Sequence, residues 1–200
     1  MVIGVTGPYA AGKDEVTNSL VRLGFEEINV DRVGHRALEE KKAEVAAAFG
    51  RAVVGPDGAV DRRALSAVVF RDPAALERLE SIVHPRLKEL VAASVARAKE
   101  DCVVNAALLF PMGLAEFVDA VIVVRAPLLV RACRARRRDR LTLSEIFGRF
   151  RSQKKIIPQQ LPRNVDIYHV WNTRNRTYLN GRVETIALAL RRNARKPERR

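Results

Sequence analysis

Short apolar runs alternate along this chain with longer stretches in which apolar positions recur every three or four residues. Val2-Ile3-Gly4-Val5-Thr6 predicts a buried parallel strand, because it is β-rich and apolar on both faces. Past a glycine-containing turn, Val16, Leu20, Val21 and Leu23 keep helical spacing up to Gly24, which is placed to end the helix. Residues 25–30 predict a second strand and close a βαβ unit. Residues 102–107 and 120–124 predict two further central strands, and residues 165–171 a fifth. Helical patterns separate these runs, so the predicted fold class is α/β, a five-stranded parallel sheet covered by helices on both faces.

Two stretches break the alternation. Residues 32–100 are rich in Ala, Leu, Glu and Arg at helical spacing, interrupted by Gly55-Pro56-Asp57-Gly58, and predict a helical insertion that could form one wall of a cleft. Residues 127–160 predict a second helical excursion carrying Arg131, Arg134, Arg136, Arg137, Arg138, Arg140, Arg149, Arg151, Lys154 and Lys155. The expected organisation is a core of residues 1–31, 101–126 and 161–192, an insertion at 32–100, a basic lid at 127–160 and a basic tail at 193–200.

Charge sharpens this division. The chain has 200 residues and a net charge of +13, but residues 1–120 carry 15 basic against 18 acidic side chains while residues 121–200 carry 21 against 5. That asymmetry points to a polyanion surface or to a site for a highly phosphorylated small molecule. No apolar run approaches the roughly 20 residues of a membrane helix, and the N-terminus has no signal-peptide plan, so a cytoplasmic protein without membrane association is expected. Cys102 and Cys133 stand far apart without metal-ligand spacing, so neither a disulfide framework nor a zinc site is indicated.

The turn after the first strand decides between the two anion readings. Gly7 to Lys13 satisfies G-x-x-x-x-G-K, the loop whose backbone amides cradle phosphates while its lysine reaches the terminal ones. Gly7, Ala10, Ala11, Gly12, Lys13, Asp14 and Glu15 are therefore the expected nucleotide-binding positions. Position 14 normally supplies a hydroxyl to magnesium and here is Asp14, whose carboxylate either ligates the cation directly or favours the helix start.

Further landmarks then follow in order: Asn29-Val30-Asp31-Arg32-Val33-Gly34-His35, Asp57 through Leu65, Ile82-Val83-His84-Pro85, Ala107-Leu108-Leu109-Phe110-Pro111, then Arg134, Arg138, Asp139, Arg149 and Gln153, and lastly residues 166–172 ending in Asn172. With the phosphate loop, this series resembles the dephospho-coenzyme A kinases from the first strand to about Gly181. The resemblance implies a P-loop NTPase fold with a helical acceptor subdomain and a helical lid. It also implies ATP and Mg2+ and transfer of the γ-phosphoryl group to the ribose 3′-hydroxyl of dephospho-coenzyme A. On it, Asp31, Lys13 and Arg138 are the expected catalytic residues; Arg138, Arg149 and Asn172 join the nucleotide set; Asp31, His35, Arg62, His84 and Leu108 face the acceptor; and Asp14 holds the metal. Three positions depart from the family pattern: Asp14 for a hydroxyl, Asn29 for the first Asp of D-A-D, and Pro111 for the Glu of P-L-L-F-E.

Asp31 stands just past the second predicted strand, where open α/β sheets bind ligands and where a carboxylate can take a hydroxyl proton. Its alternative reading is a cap for the following helix. Two other functions stay open at this level. One is a kinase of another small acceptor; the other is a catalytically weak nucleotide- or RNA-binding protein using its basic C-terminal portion, with nucleic acid a secondary partner.

Overall fold

The structure is a computed structural model and describes residues 1–139, 142, 145, 146, 148, 150, 165–173 and 175–194. The described residues form two compact units, 1–28 with 97–200, and 29–96.

In the first unit a five-stranded sheet has the order β2-β3-β1-β4-β5, with β1 Val2–Thr6, β2 Glu26–Asn29, β3 Cys102–Asn105, β4 Ala120–Arg125 and β5 Asp166–Trp171. β1 pairs in parallel with both β3 and β4, and β4 in parallel with β5. Strand periodicity sorts the side chains. Ile3, Val5, Ile122 and Val124 turn to the face covered by Val16 and Leu20 of α1 (Lys13–Arg22) and by Leu179, Val183 and Ile186 of the last helix (Arg176–Ala194). On the opposite face a Cβ at Gly4 would lie 2.6 Å from Leu109 Cδ1, so the glycine is what lets the turn after β3 press onto β1. The parallel α/β sheet expected from the run pattern is thus the one observed.

α1 ends as its sequence directs. The Gly24 amide donates to Val21 O at 3.0 Å and the Phe25 amide to Leu20 O at 3.1 Å, with Gly24 at φ +89°. This paired closure needs a left-handed residue and so selects glycine. It delivers the chain directly into β2. That strand is one residue shorter at each end than expected: Val30 opens α2 (Val30–Glu40), because the Asn29 side chain accepts the Arg32 amide at 3.1 Å and caps the helix there.

The second unit continues with α3 (Lys42–Phe49), α4 (Arg62–Val69) and α5 (Pro73–Arg97) around Val45, Val53, Leu65 and Val69. The Gly55–Gly58 interruption is a tight turn closed by an antiparallel bridge between Val54 and Val60. α5 runs unbroken through Pro85. Arg86 ties it to α2 by donating to Glu40 at 2.6 Å.

In the first unit, α6 (Leu128–Asp139) follows β4, and α7 (Arg176–Ala194) follows β5 and continues past the expected end of the core at residue 192. Asp101 holds α7 down: its carboxylate takes the Met1 ammonium at 3.0 Å and Arg191 Nε at 2.7 Å. Burial pushes this carboxyl up, but the hydrogen bonds from Arg191 and the N-terminal amine outweigh it and leave the pKa below its ordinary value. Stability from a depressed carboxylate is present above its unfolded pKa and is lost as pH falls through the folded one. Asp101→Asn is therefore expected to lower stability by about 1–2 kcal/mol at pH 7, with the difference from the parent shrinking in urea titrations only as pH falls below the ordinary carboxylate range.

Among the described residues no helix is long and apolar enough to cross a membrane.

Candidate active site

The turn between β1 and α1 is held from behind. Its carbonyls are taken by protein donors: Pro8 O by the Ala11 amide at 3.0 Å, Tyr9 O by Arg131 Nε at 2.8 Å, and Ala11 O by Asn172 Nδ2 at 3.0 Å and Arg134 Nη1 at 3.3 Å. With the carbonyls tied back, the amides at the start of α1 are left for a ligand, since a helix N-terminus has no internal acceptors for them. The residue at that N-terminus is Gly12, which has no side chain to compete as a cap. The loop takes left-handed backbone at Gly12 (φ +95°) and at Ala10 (φ +60°), the latter a conformation that residues with a Cβ rarely adopt. Holding Ala10 there costs on the order of 1 kcal/mol, which the tied carbonyls offset.

Beside this loop lies a cleft of about 650 Å³, lined by Ala10, Gly12, Asp14, Glu15, Arg134, Arg137, Arg138, Asn172, Arg176 and Leu179. Its arginines differ in what they are free to do. Arg134 is spent on the loop and on Asn172, whose backbone and side-chain oxygens it reaches at 3.1 Å each. Arg176 pairs with Glu15, the second contact at 2.9 Å, and holds that carboxyl below the usual range. Arg138 is gripped by Asp139 through Nε at 2.9 Å and Nη2 at 3.1 Å and lies over the Tyr9 ring at 5.5 Å. Arg137 also faces the cleft and pairs with no carboxylate among the described residues.

Tyr9 sits at the centre of the supporting layer. Its hydroxyl donates to Asp139, and its ring meets Phe150 at 6.2 Å, itself covered by Arg131 at 4.2 Å. Asp139 thereby fixes Arg138 and the phosphate loop to one another. Asp139→Asn, which keeps the shape and removes the charge, is expected to lower kcat several-fold to about ten-fold, with a smaller change in the KM for ATP. Steady-state kinetics beside the parent check this.

The structure brings Gly7, Ala10, Ala11, Gly12, Lys13, Asp14, Glu15, Arg138 and Asn172 together in the first unit. Gly7 packs against β4, where a Cβ would lie 2.3 Å from Val124 O. Asn172 presses equally close to Gly12, 2.1 Å from a Cβ placed there, and so serves the loop through its amide. Leu108 is half-buried in the turn that follows β3, and Pro111 is exposed in the same turn. Asp31, His35, Arg62 and His84 belong to the second unit. Asp31 and His35 share a face of α2 four residues apart. Arg62 is the first residue of α4, capped by Asp61, and half-buried His84 precedes Pro85 within α5. Arg149, like Gln153, Lys154 and Lys155, lies outside the described residues.

The Asp14 carboxylate is a hard oxygen donor beside the loop of the kind a divalent cation takes. Asp14 stands in the first turn of α1, and buried Asn105, at the end of β3, donates Nδ2 to Asp14 Oδ1 at 3.4 Å and to Glu27 Oε1 at 3.1 Å. Among the described residues no group of three His, Cys, Asp or Glu side chains gathers to hold a metal. A carboxylate at the phosphate loop with few further protein ligands suits Mg2+, which keeps its waters and shares phosphate oxygens.

A family model for dephospho-CoA kinases matches residues 1–163. The chain belongs to the dephospho-CoA kinase family. Among its relatives, the dephospho-CoA kinase of Moorella thermoacetica is 41% identical over 160 residues, 76% of each chain. That of Thermus thermophilus is 33% identical over 192 residues, 96% of this chain and 89% of the relative. The crystal structure of TT1252 from Thermus thermophilus superposes with a TM-score of 0.81 at 31% identity, covering 94% of this chain and 96% of that one. A dephospho-CoA kinase from Campylobacter jejuni, with a TM-score of 0.71 and 23% identity, shares the fold over 96% of this chain and 98% of its own. The family match spans both the phosphate loop and the segment holding Asp31, His35, Arg62 and His84.

Tyr9, Arg134, Asn105 and Glu27 support the loop or Asp14 through contacts that the sequence does not single out. Arg134 is legible as part of the R-x-x-x-R-D pattern, although not as a support for the loop. The other three carry no local signal, because their partners are distant in the chain.

Proposed function

We propose that this protein transfers the γ-phosphoryl group of ATP to the ribose 3′-hydroxyl of dephospho-coenzyme A, giving coenzyme A and ADP. The reading is carried by the family match together with a phosphate loop whose carbonyls are tied back and whose helix N-terminus is left for an anion.

The triphosphate lies along the loop amides, with Lys13 offsetting charge on the group in transit. Arg138, fixed by Asp139, adds positive charge from α6. Asp31 accepts the proton of the attacking hydroxyl, and His35 lies one helical turn further on the same face of α2. Arg62, His84 and Leu108 contact the acceptor, and Arg149 joins the nucleotide set. Asp14 would hold Mg2+, which would supply positive charge to the phosphates of the nucleotide. A lid that closes on the phosphates excludes water and suppresses ATP hydrolysis.

A panel of acceptors tests the reading. With ATP and Mg2+, kcat/KM for dephospho-coenzyme A is expected to exceed that for nucleoside monophosphates and for shikimate by at least about 10³-fold, the discrimination a site reaches when it hydrogen-bonds its own acceptor. A higher value for another acceptor would replace the proposed one.

A further inference from the structure

P-loop enzymes hold their cation with two groups, a Ser or Thr hydroxyl directly after the loop lysine and an Asp at the carboxyl end of a neighbouring strand. In this chain the first position is Asp14. The end of β3, hydrogen-bonded alongside β1, is Asn105, and its amide reaches Asp14 at 3.4 Å. One carboxylate and one neutral group are still present, so the formal charge of the pair is unchanged.

We propose that the two positions have exchanged chemistry: the carboxylate that meets the cation stands on the loop at Asp14, and Asn105 is a positioning residue that holds it from the strand. Two observations and the charge argument that follows from them support the exchange. Asn105 is 8% exposed, so its amide is committed inside the protein rather than to solvent. Its Nδ2 has two acceptors, Asp14 at 3.4 Å and Glu27 at 3.1 Å. An aspartate at 105 would have no hydrogen to donate and would set a buried charge beside the exposed carboxylates of Asp14 and Glu27, where desolvation and like charge both oppose it. With Asp14 and Glu27 in place, the strand position therefore demands a neutral donor. The inference rests on the Mg2+-ATP reading above, and it names which residues replace the usual pair.

Equilibrium binding of ADP in Mg2+ and in EDTA tests it without turnover. The parent is expected to bind at least about ten-fold tighter with Mg2+, and both Asp14→Ser and Asn105→Asp to lose most of that advantage. The double variant Asp14→Ser/Asn105→Asp is expected to regain it to within about three-fold of the parent, a departure from additivity that two independent losses cannot give. Asn105→Ala, which removes the donor without adding charge, supplies a second arm should Asn105→Asp fail to fold, and it is expected to weaken the Mg2+ advantage while leaving EDTA binding unchanged. Full Mg2+ dependence in Asp14→Ser overturns the inference. So does a double variant no better than Asp14→Ser in both the native and the Glu27→Gln background. A parent protein that makes coenzyme A while the exchange fails leaves the reaction standing. A parent that binds Mg2+-ADP with the expected coupling yet makes no coenzyme A overturns the reaction alone.

Discussion

Replacing Asp31 by asparagine is expected to lower kcat for coenzyme A formation by about 10²–10⁴-fold, the usual contribution of a positioned proton acceptor. Affinity for ATP is expected to stay within about two-fold, because Asp31 is assigned to the hydroxyl and not to the phosphates. The structure sharpens what this variant measures. The alternative role for Asp31 is to cap the helix after β2, and that role is filled by Asn29, whose side chain accepts the Arg32 amide. An asparagine at 31 therefore leaves the cap intact, and a thermal melt should match that of the parent. Asn29→Ala is the matching control: it should lower stability by about 1 kcal/mol. Near-parent turnover in Asp31→Asn would remove that residue from the mechanism.

The second large effect is structural. Gly7→Ala is expected to destabilise the protein by about 3–5 kcal/mol, or to prevent folding, and to abolish nucleotide binding in whatever protein remains. The added Cβ would meet the Val124 carbonyl oxygen at 2.3 Å, and that atom belongs to β4, a central strand paired on both sides. Neither partner can withdraw without opening the sheet. Chemical denaturation and ADP binding read the two losses separately. By contrast, a Cβ at Gly24 meets nothing within 4 Å, so Gly24→Ala should cost only the left-handed strain of its φ of +89°.

The contrast between these glycines shows what a sequence can and cannot disclose. β1, the loop and α1 were legible because their determinants are local: a β-rich run, fixed glycines, helical spacing and a terminal Gly24. The strand order was legible only in class, since which strands neighbour β1 depends on packing across the whole sheet. The limits of β2 were set by a competition between strand pairing and the Asn29 cap, and the cap won at Val30. At the site, the loop residues announced themselves through a short pattern. Their supports did not: Asn105 reaches Asp14 across 91 positions and Glu27 across 78, and Asn172 reaches Ala11 across 161. Arg138 also changes character once its neighbour is seen. The sequence offers it as a cation for phosphates; the structure adds a two-point pair with Asp139 and the Tyr9 ring beneath it, contacts that fix its position.

Part of the charge asymmetry has a structural use that only the fold discloses. Of the arginines on α6, Arg131 and Arg134 are bonded to loop carbonyls, so a basic stretch is partly internal scaffolding. Burial lowers the pKa of Arg131, in keeping with a side chain used to brace the loop.

The central claim is that phosphate from ATP arrives on one particular oxygen. Phosphorus and proton NMR of the products formed from ATP, Mg2+ and dephospho-coenzyme A test it most directly. One new phosphomonoester is expected, coupled to the ribose 3′ proton and equimolar with ADP. Inorganic phosphate as the sole product beside ADP, or a phosphomonoester at any other hydroxyl, would contradict it.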